Sequence, residues 1–505
     1  MRGLSVALVE RGDFAGATSS RSSKLIHGGF RYLPQGQLSL VYHALRERER
    51  LRRLTAPHLV HPIRFLFPVY RGRGFGRFTM SMGLWMYDLF ARTPLAEWHR
   101  NLSAAQVRES EPALAREGLT GGAIYYDGWG DDARITFENV LDAGIHGAAV
   151  ANYVSAEEFG TAHGRLCSVS LLDCIGGSSF ELRARVFVNA AGPWVDHIRR
   201  MEDPAARPSV RLSKGAHLVF QRTRLPVRDS LVLGDDGGRI VFVMPHDRYV
   251  LVGTTDTEYA DDPAAVRTER SDVAYLLAVM AESLPGMRLS AEDVASSFAG
   301  VRALVMDGSD SKSPSAVPRE EVILESRSGL LTVAGGKLTT HREIAEKLVG
   351  RLTRELGKGL SRCPTRDIPL PGARGETDQP DHAGAQALAA LPSAAREILV
   401  ARHGTRAALP GRIAADSSVL AEPIAAGCPI LAAEVIHSVR HEMALTLQDF
   451  MIRRTALVWR YPVEAEAAAP TVARLMAGEL RWDDARESRE VAEFRDNLRR
   501  RRFPD

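Results

Sequence analysis

The chain has 505 residues, enough for two or three domains, and its 45% hydrophobic and 25% charged residues are an ordinary soluble balance. Lysine and arginine exceed aspartate and glutamate by only three, 65 against 62, which argues against a nucleic-acid binder and leaves the basic runs 46–53 and 499–502 as solvated helix faces. Cys167, Cys174, Cys363 and Cys428 fit no CxxC or metal spacing, no signal-peptide core opens the chain, and the most apolar run (78–90) carries Asp88 and is too short to span a bilayer. A reducing compartment, no disulfide framework and no transmembrane helix are expected.

In chain order, Leu4 to Val9 read as a buried strand ending in Glu10. An acid there closes the second strand of a dinucleotide fold and bonds ribose hydroxyls, although an acid after an apolar strand is more often a plain strand terminus. The glycine loop expected about 20 residues before such an acid would fall ahead of Met1. Next comes Thr18-Ser19-Ser20-Arg21-Ser22-Ser23-Lys24-Leu25-Ile26-His27-Gly28-Gly29-Phe30-Arg31-Tyr32, where small residues allow close backbone approach and hydroxyls suit a phosphate. Residues 38–54 form a charged amphipathic helix and 64–69 a strand; the GxGxG within 71–77 lacks dinucleotide spacing and is a turn into a helix. Residues 185–194 are a buried strand ending in Ala190-Ala191-Gly192-Pro193-Trp194. Strands at 211–220, 239–244 and 249–253, the last two joined by a polar turn, argue for an antiparallel sheet beside the α/β part. A helix at 271–283 precedes a strand at 330–334, which runs through Gly335-Gly336-Lys337-Leu338-Thr339-Thr340 into a helix to about 356. Residues 363–382 carry a linker composition, and Ala-rich periodic segments follow to the end.

The run Gly3 to Glu10, the block Thr18 to Tyr32 and further stretches in the same order to about Thr455 resemble the FAD-dependent glycerol-3-phosphate dehydrogenases, the membrane-associated respiratory kind. The departure is at the start, because family members open with a strand and glycine-rich loop that here would precede Met1. The resemblance implies a Rossmann-like FAD-binding domain (1–57, 126–205, 321–360), an antiparallel-sheet substrate cap (58–125, 206–320), a linker (361–382) and a C-terminal all-helical domain (383–505). It implies oxidation of sn-glycerol 3-phosphate to dihydroxyacetone phosphate, hydride to flavin N5, and electrons on to a membrane quinone. It also implies a cytoplasmic protein, peripheral on the inner face of the membrane, with a homodimer left open. The Arg71–Arg92 stretch mixes arginines with Phe78, Trp85, Met86 and Phe90 and suits an interface, though a buried cap helix explains it equally.

For FAD, the resemblance points to Glu10, to Thr18, Ser19, Ser20, Ser23, Lys24, Leu25, His27, Gly28 and Gly29 under the pyrophosphate and ring, to Ala191, Gly192 and Trp194, and to Gly336, Lys337, Leu338 and Thr339. The last four open a helix whose first N–H groups suit an anion or a reduced ring. Oxidising a secondary alcohol needs a base, a hydride acceptor and a hold on the substrate, and a phosphate calls for arginine. Arg31, Tyr32, Arg302 and Arg319 are the candidate clamp, His27 the first choice of base and His217 the second, with Lys337 and Thr254 orienting the substrate. Any single arginine is more often a surface ion pair, and a lone histidine a satisfied core residue. The 440–455 segment, with acid and base one helical turn apart, is expected to pack against the α/β body. No metal motif is present. Two rivals stand beside this reading: an oxygen-using glycerol-3-phosphate oxidase of the same family, and an inactive remnant unable to hold FAD, its sheet edges apolar and exposed.

Overall fold

A computed structural model of the chain describes residues 1–33, 36–72, 76–234, 239–306, 321–357, 362–374 and 382–502. A ten-stranded, mostly antiparallel sheet runs through Val210–Gln221, Tyr249–Gly253, Ile240–His246, Ser230–Gly234, Val60–Tyr70 and Leu119–Gly130. Side chains alternate faces along these strands with period two. Phe65, Val219, Phe242, Met244 and Leu251 enter one core, while Leu66, Leu218, Phe220, Val243 and Val252 enter the other. Helices Leu38–Arg50 and Arg77–Ala91 cover the first face, and Arg270–Ser283 covers the second. The short strand Leu25–Ile26 pairs with Trp129 and Gly128, so the hydroxyl-rich loop hangs from the end of this sheet.

The parallel part of the fold is carried by Ala7–Glu10 beside Ala149–Asn152, and by Phe187–Asn189 beside Leu330–Gly335. These are two separate small sheets. The opening strand, expected to be buried, is exposed: it pairs along one edge only, and Val6, Leu8 and Val9 are 51%, 38% and 38% exposed. The Phe187–Asn189 strand buries its ends but leaves Val188 exposed.

Within residues 362–374, Cys363, Leu370, Pro371 and Gly372 are buried, with Gly372 N–H donating to Glu138 at 3.1 Å, while Arg362, Arg366 and Asp367 are exposed; residues 361 and 375–381 of the expected linker lie outside the described residues. The C-terminal segment is helical as expected, but it does not stand apart. Val435, Leu447, Phe450, Met476 and Phe494 share one core with Leu25, Phe30 and Leu84, because the sheet face needs an apolar cover.

The 440–455 segment packs as expected, but not as one helix: Ala432–Glu442 ends where Met443 turns left-handed (φ 52°), and Asp449–Arg454 forms a separate turn. Arg454 donates to both Asp13 oxygens at 2.8 and 2.9 Å, and Arg134 to both Glu442 oxygens at the same distances. His403, His437 and Glu442 have ligand atoms within 4.8 Å of one another. With Arg134 on the Glu442 carboxylate, a second cation would face repulsion in a buried site, so the cluster reads as an ion-pair network. Burial holds the His403 imidazole down at about 4, from an ordinary 6.5. A histidine buried neutral stabilises the fold above its unfolded value, and loses that contribution as pH falls from 6.5 towards 4. Between pH 7.5 and pH 5 the chain should therefore lose roughly 2 kcal/mol more stability than its His403→Gln variant. Chemical denaturation at the two pH values checks this, and equal losses would remove His403 as the cause.

Candidate active site

One wall of the site is the hydroxyl loop, and its shape is set from beneath. Lys24 adopts a left-handed backbone (φ 60°) and turns its ammonium inward, donating to Asp132 Oδ1 and to the Ser20 carbonyl, each at 2.6 Å. Ser22 reaches the other Asp132 oxygen through both its N–H (3.1 Å) and its hydroxyl (2.7 Å). Asp132 opens the Asp132–Ile145 helix and is fully buried, so one carboxylate takes three hydrogen bonds from two loop residues, Ser22 and Lys24. Thr18 Oγ1 ties the loop start to the Val301 carbonyl at 2.5 Å.

The second wall is the glycine turn after Leu330–Gly335. Gly335 and Gly336 have φ of 76° and 88°, and a Cβ on Gly336 would meet Ile344 Cδ1 at 2.5 Å, so the strand turns tightly into the His341–Glu355 helix. Lys337 Nζ sits 4.2 Å from the Tyr32 ring centroid and lies over Gly29, whose own Cβ would fall 2.7 Å from it. Thr339 Oγ1 lies 3.2 Å from the His27 N–H and 3.3 Å from its carbonyl, joining the two walls.

The third wall belongs to the large sheet. Arg302 Nη2 donates to Thr254 Oγ1 at 2.9 Å, and Nη1 to the Thr255 carbonyl and Asp256 Oδ1, both at 3.3 Å. The charge in an apolar strand is thus satisfied. His217 is 1% exposed, stacks on Phe298 at 4.8 Å, and has its Nε2 2.8 Å from Ser23 Oγ. Burial, with the nearby Arg302 and Lys24 charges, drives its basicity well below the usual imidazole range, so it stays neutral.

These walls enclose a cavity of about 600 Å³. It brings together Thr18, Ser19, Ser23, Leu25, His27 and Gly29 with Gly192, and with Gly336, Lys337, Leu338 and Thr339; on the substrate side it adds Thr254, Arg302 and His217. Other expected residues lie elsewhere. Glu10 is exposed and caps its own turn, accepting from Gly12 N–H at 2.9 Å. Ser20, Lys24 and Gly28 do not line the cavity: Lys24 is spent on Asp132, and Gly28 packs against Leu45 and Tyr87. Ala191 and Trp194 are not on the lining, whereas their neighbours Ala190 and Pro193 are. Tyr32 is buried behind Lys337. Arg319 and the Arg31 side chain lie outside the described residues.

Sequence reasoning missed the support beneath His27 and Gly28. Asp127, fully buried, accepts from Arg48 Nη1 at 2.8 Å and from Tyr87 Oη at 2.6 Å. It also missed an aromatic wall in which Phe30, Phe65, Phe67, Tyr125 and Phe242 line the cavity. Single acids and aromatics scattered over 200 positions carry no local pattern, so nothing in the chain order flagged them.

The cavity fits FAD by its own chemistry. It lies beyond the carboxyl ends of the parallel strands Phe187–Asn189 and Leu330–Gly335, where α/β folds bind nucleotides. One side is hydroxyl-rich, and the space beside Gly192 is open, with nothing within 4 Å of a Cβ built there. A ligand with phosphates at one end and a flat ring near His27, Lys337 and Thr254 suits these surfaces.

Comparison with known proteins agrees. The FAD dependent oxidoreductase family profile matches residues 1–342, and that of the C-terminal domain of alpha-glycerophosphate oxidase matches 363–487. The aerobic glycerol-3-phosphate dehydrogenase of Staphylococcus haemolyticus is 34% identical over 91% of this chain and 83% of its own. The corresponding enzyme of Bacillus subtilis is 33% identical over 96% of this chain and 88% of its own. The crystal structure of the glycerol-3-phosphate dehydrogenase from Bacillus halodurans complexed with FAD superposes with a TM-score of 0.81 at 30% identity, covering 100% of this chain and 91% of that one. The chain belongs to the FAD-dependent oxidoreductases and, within them, to the glycerol-3-phosphate dehydrogenases.

Proposed function

We propose that the chain oxidises sn-glycerol 3-phosphate to dihydroxyacetone phosphate and passes the electrons to a membrane quinone. The observation that carries the reading is the convergence of His27, Lys337, Thr254, His217 and Arg302 on one cavity floored by a nucleotide-binding turn. FAD, when bound, supplies the hydride acceptor and the later electron donor. Arg302 holds the substrate phosphate by charge-assisted hydrogen bonds, with Arg319 and Arg31 as the remaining members of the clamp. His27 takes the proton from the C2 hydroxyl. Neutral His217, fixed by Ser23 and Phe298, orients that hydroxyl, and Thr254 holds the Arg302 fork in place. Lys337 keeps positive charge at the anionic end of the reaction.

The membrane part of the reading rests on the Arg77–Ala91 helix. Phe78, Met82, Trp85 and Leu89, one helical face, are 82%, 59%, 55% and 65% exposed, while Met80, Leu84, Tyr87 and Ala91 on the opposite face are buried. Leu95 continues the patch, and Arg71, Arg77 and Arg92 are exposed at its ends. An apolar stripe rimmed by arginines suits the headgroup layer of an anionic membrane. Among the described residues no helix is long and apolar enough to cross a membrane. This face supports a peripheral attachment, taken in this reading to be on the inner, cytoplasmic side.

The visible spectrum of the purified chain tests the reading. A flavin spectrum that bleaches with anaerobic glycerol 3-phosphate and recovers with a quinone is expected. A colourless protein would favour the inactive remnant, and recovery in air with stoichiometric peroxide would favour the oxidase.

A further inference from the structure

Positive charge gathers a second time at the free edge of one strand. Val294–Val305 pairs with Val210–Gln221 along one edge and has no strand partner on its other edge among the described residues. The hydroxyl loop and the end of the Asp484–Arg502 helix lie against it instead. Thr18 donates to the Val301 carbonyl and Arg21 Nη1 to the Ala299 carbonyl at 3.4 Å, while Ser297 Oγ donates to the Arg501 carbonyl at 2.7 Å. Positions two apart on a strand are separated by about 7 Å, so Arg21 and Arg501 are neighbours. The basic run 499–502, expected to be solvated, therefore turns one arginine inward. Arg500 pairs with Asp496 at the surface, whereas Arg501 is half-buried and donates to Asn497 Oδ1 at 2.6 Å. Arg302, on the same strand, turns across the paired edge, over Gly215 to Thr254.

Neither Arg21 nor Arg501 meets a carboxylate among the described residues; one has the Ala299 carbonyl and the other the Asn497 amide oxygen. The acids nearby are taken. Arg453, whose charge reaches both arginines, is paired with Asp13 and Asp449, and Asp13 is shared with Arg454. Burial, then the charges of Arg21 and Arg453, pull the Arg501 guanidinium down to about 9 from an ordinary 12.5, and burial and Arg453 lower Arg21 as well. Desolvated cations without a counter-charge are costly, and one dianion between them relieves both. Guanidinium forks match the oxygens of a phosphate group, and two forks can share one. We propose that Arg21 and Arg501, with Arg453 behind them, bind a phosphate-type dianion at this edge, apart from the substrate clamp. The occupant is inorganic phosphate or the phosphate group of an ester such as the substrate or product. It ties the C-terminal helix to the hydroxyl loop, and because Arg21 also lines the cavity, it steadies the loop on the flavin side.

The test uses the FAD-loaded chain and reads melting temperature and flavin release on dilution. Millimolar inorganic phosphate should raise the melting temperature by several degrees over chloride of equal ionic strength, and slow flavin release several-fold. The shift should persist in Arg302→Ala, where the proposed substrate clamp is broken, and vanish in Arg501→Met and in Arg21→Met. Arg501→Met should melt no lower than wild type in chloride, since it removes an uncompensated charge, and Arg501→Lys should keep part of the shift. Dihydroxyacetone phosphate, tried in Arg302→Ala, separates the two sources. A larger shift than with inorganic phosphate makes the ester the occupant, and an equal or smaller one makes it the free ion. No shift in wild type would overturn the site. A shift lost in Arg302→Ala would put the ion in the substrate clamp, and one retained in either Arg501→Met or Arg21→Met would put it elsewhere; both results overturn the proposal.

Discussion

Arg302→Ala should raise the KM for glycerol 3-phosphate by about a hundredfold, the worth of a charge-assisted hydrogen-bonded contact. Arg302, proposed above as the clamp, lines the cavity, and its guanidinium is oriented by Thr254, Thr255 and Asp256. Removing it also leaves the Asp256 carboxylate with Ser213 as its side-chain partner, so some of the loss is local. Arg302→Lys separates the two contributions. It restores a charge but not a fork, and should recover part of the affinity and none of the bidentate geometry. Flavin content should match wild type in both variants. Steady-state kinetics with a dye acceptor make the measurement, and an unchanged KM in the alanine variant would remove Arg302 from the clamp.

Lys24→Met should be the most damaging change to cofactor retention, although Lys24 does not face the cavity. It leaves the fully buried Asp132 carboxylate without its cation, a loss of about 3–5 kcal/mol for a broken buried pair. The Ser20 carbonyl loses its donor at the same time, and Ser22 is left on a carboxylate that has lost its counter-charge, so the hydroxyl loop no longer keeps its shape. The expected result is a lower melting temperature together with substoichiometric flavin. The double change Lys24→Met, Asp132→Leu removes the stranded charge and should regain much of the stability, while flavin stays low because the Ser22 contacts are gone. Full flavin occupancy in Lys24→Met would show that the loop needs no pin.

The motif-bearing parts of the site were legible because their chemistry is local. Thr18 to Tyr32 and Gly335 to Thr340 each place hydroxyls, glycines and a cation within one short stretch, and the structure brings both to the same cavity. Lys24 was legible as a member of the loop but not in its role, since a lysine looks the same whether it meets a ligand or a carboxylate 108 positions away. Tyr87, Asp127 and Arg48 were invisible for the same reason: they come from three elements and meet only after folding. The fold divided similarly. Uninterrupted strands with a short polar turn announced an antiparallel sheet, but nothing along the chain announced that its face would share a core with Val435, Phe450 and Met476.

By itself, then, the sequence carried the resemblance that implied family and cofactor, and residue type at short spacing picked out several strands and helices and the two segments that meet at the site. Only the tertiary structure decided that the opening strand lies exposed, that Glu10 and Lys24 turn to neighbours in the protein, and that the helical C-terminal segment completes the main core. Tertiary structure alone also showed the Arg77–Ala91 helix with an apolar face outward and a tyrosine hydroxyl on the catalytic loop. Burial and pairing are properties of the packed chain: a side chain's partner is chosen by topology, and topology is settled by non-local apolar contacts that no short window of residues contains.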